Sequence, residues 1–366
     1  MIFNKTGRHI RRNFECKDLT ISTVREYKYL GFLITPSGEV ITGLKDLYSR
    51  ASYALVQLRR KLGENFRKYP EITLYLFDAL VKPIIMYMSD FWGCLKMPKN
   101  NPIDLIHTKF LKQILGVQIQ TTNIGVLLEI GRVPLSLCAQ KNCIKNWDRI
   151  ALKKNCNTLT ELSYKNIVKN NTLWFSSIHT HLAQIGLQLI IQGGIITQSP
   201  HNVYYQRVID IFHQNAFSEI QNENSKLRTY KLFKTSIKQE PYLTEIKNVK
   251  DRIIFSKFRL SNHKLMIEKG RHLKISKELR FCPFCSDSIE DEIHFLISCK
   301  TYSNHRKRLF DSIQNNVREV GFPGMSDEGK FTLIMNNVGV ASLVANYLSQ
   351  TFELREFLLY KHKIPI

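Results

Sequence analysis

The run "RFCPFCSDSIEDEIHFLISCK" from Arg280 to Lys300 constrains this chain more than any other stretch, because it packs three of the eight cysteines and a histidine together. The spacing is Cys282-x2-Cys285-x8-His294-x4-Cys299. Zinc takes four thiolate or imidazole ligands at tetrahedral corners, and a Cys-x2-Cys turn aims two thiolates at one ion. Pro283 stiffens that turn, and Asp287 and Ser288 supply turn chemistry between the two halves. "EDEIHFLISC" then reads as a short helix carrying His294 and ending at Cys299, with Phe281, Phe284, Ile293 and Phe295 as a small apolar shell. The competing reading is unrelated core cysteines or a redox Cys-x-x-Cys pair. A redox pair follows a strand in a βαβ unit, and no such pattern precedes Phe281. Four protein ligands leave no open position, so the predicted zinc is structural and not catalytic.

The chain has 366 residues, enough for two or three domains with a sizeable core. Apolar content of 43% and charged content of 23% are those of a globular protein. The formal net charge of +22 favours a polyanionic partner. A membrane reader would concentrate its cations on one amphipathic helix or beside an apolar span. Here they run along almost the whole chain, and the most apolar stretch, "IGLQLIIQGGIITQ", is broken by glutamines and paired glycines. The opening "MIFNKTGRHIRR" has no apolar signal core. Cys16, Cys94, Cys138, Cys143 and Cys156 are scattered, which reads as reduced core residues of an intracellular protein and not as a disulfide framework.

Within the metal motif, Asp287, Glu290, Asp291 and Glu292 make an acidic loop that phosphate should avoid, whereas its flanks are basic. Arg271, Lys274, Lys277 and Arg280 precede it; Lys300, Arg306, Lys307 and Arg308 follow. These arms read either as nucleic-acid contacts held by the metal or as ordinary solvated faces. Phe281, Phe284 and Tyr302 read either as stacking platforms or as rings buried around the metal.

The first 40 residues read as β, in the short runs "MIFN", "FECKDLTIS" and "YKYLGFLI". From Leu44 the period becomes helical: Leu44, Leu47, Tyr48, Ala51, Leu55, Leu58 and Leu62 share a face. Further helices are predicted over 71–88, 102–116, 134–154, 172–186, 203–220, 249–261, 303–318 and 338–361, with a linker near 193–202. The predicted architecture is therefore mostly α: a β segment at 1–40, helical units at 41–155 and 156–248, and a helical C-terminal unit at 249–366 holding the knuckle at 280–300. His179 and His181 are two apart, but a lone pair of this kind is a packed feature far more often than a metal site.

Several stretches, in order, resemble the C-terminal portion of a non-LTR (LINE-type, jockey-like) retrotransposon reverse transcriptase. "MIFNKTGR" is similar to the strand that ends the palm. "YKYLGFLI", with Tyr29, Leu30 and Gly31, resembles the primer-grip hairpin. "VKPIIMYMSDFWG" resembles the thumb segment in which Pro83, Tyr87 and Trp92-Gly93 recur, with Met88 in place of the family's glycine and Asp90 in place of its glutamate. "FLKQILGVQIQTTNIGVLLEIGRVPL" matches the next block through Glu129, Gly131 and Pro134. "FRLSNHKLMIEKGRH" and the cysteine motif are similar to the family's CCHC zinc knuckle and its lead-in helix.

The resemblance implies a palm-end β-hairpin, a helical thumb, a connector and a zinc-bearing C-terminal domain. It implies RNA or DNA as partner, with Arg50, Arg59, Arg60, Lys61, Arg67 and Lys68 of the thumb, and Arg271, Lys274, Arg280, Arg306, Lys307 and Arg308 of the knuckle arms, on phosphate. It also implies a nuclear and cytoplasmic ribonucleoprotein setting, no membrane, and a polymerase-bearing copy of the same element as a further partner. Polymerases hold two metal ions on paired carboxylates, and no Asp-Asp pair occurs in this sequence. Fingers and an apurinic-type endonuclease are missing too, and the 67 residues after Cys299 hold no restriction-like nuclease cluster. The expectation is a non-catalytic, nucleic-acid-binding piece with no catalytic magnesium site, beginning just past the palm's aromatic-x-Asp-Asp turn. The alternative is a degenerate or domesticated frame whose zinc module serves folding or protein contact.

Overall fold

The computed structural model describes residues 1–4, 6–98, 101–151, 158–187, 200–222, 225–316 and 322–364. They are mostly helical, with two short antiparallel hairpins near the N-terminus. The fold forms two compact units, each assembled from separate stretches of sequence. One comprises Met1–Lys61, Leu74–His107 and Val133–Phe212; the other comprises Leu62–Thr73, Thr108–Arg132 and His213–Ile366. The stretch 41–155, expected as one thumb-like unit, contributes to both.

In the first unit β1 (Asn13–Cys16) pairs with β2 (Leu19–Ser22), and β3 (Tyr27–Tyr29) with β4 (Phe32–Ile34). The second hairpin turns through Leu30 and Gly31, both at positive φ (46° and 88°), the geometry that matches strand twist in a two-residue loop. "MIFN" forms no strand. Asn4 takes its chain into a turn instead, accepting from the Thr6 hydroxyl at 2.6 Å and from the Gly7 amide at 3.2 Å.

The helix Ile41–Leu62 buries Leu44, Leu47, Ala51, Leu55 and Leu58, as the periodicity predicts. It seats on β4 at Gly43, where a Cβ would lie 2.4 Å from the Phe32 ring and 2.7 Å from the Leu33 carbonyl oxygen. Arg50 then donates to the Gly31 carbonyl at 2.9 Å, and the Tyr87 hydroxyl donates to the Leu30 carbonyl. The hairpin loop is thus clamped from two directions.

The helix expected over 71–88 is broken into Pro70–Leu76, a π-turn at Phe77–Val81 and Lys82–Ile85. Pro83 explains the break: it has no amide hydrogen for the helix ladder, and a wider turn relieves its ring. Met88 follows in the left-handed region at φ 56°, ψ 23°. Trp92 is buried and donates to the Tyr87 carbonyl at 2.8 Å. Gly93 lies against the helix Leu135–Ala151, where a Cβ would meet the Ala139 carbonyl oxygen at 2.1 Å. Cys94 and Cys143 belong to this unit's core with Ile144, Trp147, Ile178 and Tyr204. Cys16 is exposed and Cys138 half-buried, so the small-core reading fails for Cys16. Cys156 and residues 193–199 of the expected linker lie outside the described residues.

The second unit is built around a buried charge cluster. Arg259 donates from Nε to Glu129 at 2.6 Å, from Nη2 to Glu240 at 2.6 Å and from Nη1 to the Met335 carbonyl at 2.8 Å. The Tyr230 hydroxyl donates to Glu129 at 2.7 Å, and the Phe233 ring lies 4.4 Å from the guanidinium. Gly131 ends the Asn123–Ile130 helix at φ 69°, with room for no side chain: a Cβ would sit 2.3 Å from the Gln239 amide nitrogen. Glu129 and Gly131 therefore act in packing.

No single helix among the described residues is long and apolar enough to cross a membrane; the pair Asp327–Asn336 and Val338–Lys361 meets that length and composition only together, across an 86° bend.

The backbone at Met88 generates a test. A non-glycine residue in the left-handed region is strained by about 1–2 kcal/mol, more for a β-branched one. Met88→Gly should leave the urea-unfolding free energy equal to or above wild type, whereas Met88→Val should lower it by about 1–2 kcal/mol.

Candidate metal centre

Cys282 and Cys285 lie on one tight turn, His294 on a helical turn and Cys299 at that turn's end. Phe281 bridges Ile289 antiparallel, and the Cys282 amide donates to the Ser288 carbonyl at 2.9 Å. The turn closes with the Ser286 amide on the Cys282 carbonyl at 3.0 Å, Ser286 itself lying at φ 55°. Asp291 starts the second half by accepting from the His294 amide at 2.8 Å. "EDEIHFLISC" is helical over 292–298, its last five residues His294–Ser298 forming a π-turn that ends at Cys299. That turn directs His294 and Cys299 to the same side, the Cys299 amide donating to the His294 carbonyl at 2.8 Å.

The four side chains converge. Cys282 Sγ lies 3.8 Å from Cys299 Sγ, and Cys285 Sγ lies 3.3 Å from His294 Nε2. All four ligand atoms fall within 4.8 Å of one another, so the cluster can hold a metal ion. Cys282, His294 and Cys299 are buried and Cys285 is half-buried. The hydrogen bond between Cys282 and Cys299 pushes the first thiol up, with burial adding to it, and holds the second down, to about 3. Among the described residues this is the one converging group of three or more His, Cys, Asp or Glu side chains. His179 packs its ring 4.2 Å from that of Phe175, and burial pushes both His179 and His181 down.

The surroundings correct the expectation of an acidic loop. Glu290 and Glu292 are fully buried. Glu290 accepts a two-pronged bond from Arg355 at 2.8 and 2.7 Å and a third from the Met266 amide at 2.7 Å. Glu292 accepts from Arg228 at 2.7 Å, pairs with His263 at 2.8 Å and accepts from the Ser261 hydroxyl at 2.8 Å. Burial alone would raise Glu292, but the Arg228 charge and His263 hold it down, to about 2. Asp287 alone of the four acids is exposed, pairing with Lys300 at 2.8 Å.

Two of the expected phosphate contacts serve the knot instead. Arg306 is buried, donating to the Leu296 carbonyl at 3.0 Å and the Cys299 carbonyl at 2.5 Å. Arg280 lies over Gly270 and donates to the carbonyls of Ile275 and Ile267 at 2.8 and 2.9 Å. Tyr302 is buried, with Phe284 half-buried at its edge, which leaves Phe281, 44% exposed, as the one accessible ring of the three. Arg271, Lys274, Lys307 and Arg308 are exposed.

In the first unit Arg59, Arg60 and Lys61 are exposed on the last turn of their helix, and Tyr29 and Leu30 are exposed on the hairpin. Arg50 donates to the Gly31 carbonyl and pairs with Asp46 at 2.9 Å, so it clamps the hairpin. In the second unit Lys68 is exposed, while Arg67 is half-buried and donates to the Gln113 carbonyl at 2.9 Å.

Sequence reasoning missed Arg228, His263 and Arg355. Each reaches its carboxylate across 29 to 65 residues of chain, a distance at which no local pattern signals a pair. Searches of protein-family models, of curated proteins and of solved structures find no match to this chain.

Glu292 gives a pH test. Its ordinary value of 4.5 is lowered on folding, so its contribution is fully present above about pH 4.5 and is lost as pH falls toward 2. Glu292→Gln should therefore cost roughly 3 kcal/mol at neutral pH, and the gap to wild type should close as acid is added. Denaturant titrations of both proteins at a series of pH values check this.

Proposed function

We propose that this chain is a zinc-stabilised, nucleic-acid-binding protein of the non-LTR reverse-transcriptase type, corresponding to the end of the palm, the thumb and the C-terminal knuckle. The observation that carries the nucleic-acid role is charge: a surplus of 22 positive charges, with cations on both flanks of the metal cluster facing solvent. The blocks that resemble the family contain several close contacts. The Tyr87 hydroxyl bonds the Tyr-Leu-Gly hairpin, Trp92-Gly93 seats one helix on another, and Gly131 admits the Lys238-Gln239 backbone. Met88 holds the left-handed backbone for which the family's glycine is the natural residue.

Zinc is the metal that suits the cluster. Three sulfurs and one imidazole are its preferred donors, and a tetrahedral ion with bonds of about 2.3 Å sets its sulfurs about 3.8 Å apart, the separation of Cys282 and Cys299. The ion has four protein ligands and a shell of buried ion pairs, so its role is to hold structure. Arg306 ties the helix Ser303–Asn316 to the Cys299 carbonyl, and this fixes the approach of the basic arm bearing Lys307 and Arg308. Binding is through phosphate and independent of sequence: Arg59, Arg60, Lys61, Lys68, Arg271, Lys274, Lys307 and Arg308 are the contacts. Chemistry at a growing end requires paired carboxylates, which in this reading belong to a polymerase-bearing copy of the same element.

The alternative reading, a module for folding or protein contact alone, draws on the same buried ion pairs and predicts no polyanion affinity. Metal analysis should find about one equivalent of zinc per chain, lost in Cys285→Ser together with the fold of its unit, since a structural site couples binding to folding. Gel-shift titrations against RNA and duplex DNA should show affinity falling by about 10³-fold or more between about 50 and 200 mM salt. Weak retention that ignores salt would remove the nucleic-acid reading and leave the alternative.

A further inference from the structure

The helix Ala341–Lys361 turns most of its apolar side chains inward but leaves two rings in solvent, Phe357 at 58% and Tyr360 at 86% exposure. Tyr360 is the most exposed large apolar side chain among the described residues. Three positions apart, the two rings are neighbours on one helix face. Beside Tyr360 lies a cleft of about 330 Å³, lined by Lys264, Lys269, Arg355, Glu356, Leu359 and Tyr360.

The charges of this cleft are unequal. Arg355 is engaged by Glu290, deep in the unit. Lys264 meets Glu356 at 2.8 Å, yet both stay largely in water, at 75% and 62% exposure, where such a pair is weak and easily exchanged. Lys269 feels the cations around it: burial, then Arg355 and Lys264, push its pKa down. Lys361 and Lys363, both exposed, follow Tyr360 along the chain.

A ligand for this place must be anionic at one end and flat and apolar at the other. A membrane surface fits poorly, because the apolar face of the helix is already buried and the cationic part is concave. A duplex fits poorly as well, because its bases are stacked on one another and cannot reach a ring at a cleft wall. We propose that the cleft framed by Lys264, Lys269 and Tyr360 binds single-stranded nucleic acid. The two lysines take successive phosphates, Tyr360 stacks on one base and Phe357 on its neighbour. This inference rests on the nucleic-acid reading above and assigns it residues other than those named for the knuckle arms.

The test uses the full zinc-loaded chain and a dye-labelled oligouridylate dodecamer, followed by fluorescence anisotropy across a salt series. Tyr360→Ala should weaken binding by about 5-fold or more, the loss of one base–ring stack. Lys264→Gln with Lys269→Gln should reduce the slope of log affinity against log salt by about 1.4, two phosphates at about 0.7 each. A control that removes the same charge elsewhere, Lys165→Gln with Lys169→Gln on the helix Leu159–Lys169, should leave affinity within about two-fold and the slope unchanged. Tyr360→Trp should keep affinity and show quenching of its fluorescence on addition of oligouridylate.

If wild type binds with a steep salt dependence while Tyr360→Ala and the Lys264/Lys269 double variant match it, this cleft is overturned and the nucleic-acid reading survives. If wild type fails to bind at low salt, both are overturned. An equal loss for Tyr360→Ala on a duplex of the same length would overturn the single-strand assignment.

Discussion

Two carboxylates with no access to water, Glu290 and Glu292, set the terms for the C-terminal part of this protein. A buried carboxylate is tolerated only when cations and hydrogen-bond donors surround it, and breaking such a pair from one side costs about 3–5 kcal/mol. Arg355 comes from the helix Ala341–Lys361, Arg228 from the segment before the Tyr230–Leu232 turn, and His263 and Ser261 from the stretch after the helix Val249–Arg259. Meeting these demands fixes several distant segments around the Cys/His cluster. The cluster and its shell are one device: the residues between Cys285 and His294 carry the carboxylates, and the carboxylates anchor the segments that enclose the metal ligands.

The same logic recurs at Glu129, where Arg259, Tyr230 and Glu240 close a second buried network. Such networks are weak as net stabilisers and strong as arbiters between alternative packings, because a shifted arrangement leaves a charge alone in a dry interior. The glycines add a steric counterpart. Gly43, Gly93 and Gly131 each sit where a Cβ would strike a neighbouring backbone or ring, so their positions fix how closely elements approach.

Basic residues divide into two populations that composition does not separate. Arg228, Arg259, Arg280, Arg306 and Arg355 spend their guanidinium groups on carbonyls and carboxylates inside the fold. The lysines of the knuckle flanks and the cations at the end of the helix Ile41–Leu62 face solvent. Arginine's planar fork suits internal bridging, and buried Lys112 and Lys234 bridge inside the fold as well, whereas Arg59, Arg60, Arg271 and Arg308 belong with the solvent-facing cations. The proposed contact with phosphate belongs to the second population, which narrows the residues by which a nucleic acid could be held.

The sequence by itself determined the parts that depend on local chemistry. Those are the helical period after Leu44 and the Cys/His cluster of Cys282, Cys285, His294 and Cys299, whose spacing suits a single metal ion. It also marked Pro83, Gly93 and Gly131 as special without saying why. The break at Pro83, the left-handed Met88, the assembly of each unit from separated stretches and the pairing of the acidic loop were decided only in three dimensions. "IEDEIH" reads as a solvated acidic run because hydration is the default for three adjacent carboxylates, Glu290, Asp291 and Glu292. Its burial depends on arginines tens of residues away, and only the folded chain brings those within the few ångströms at which a guanidinium offsets the loss of water.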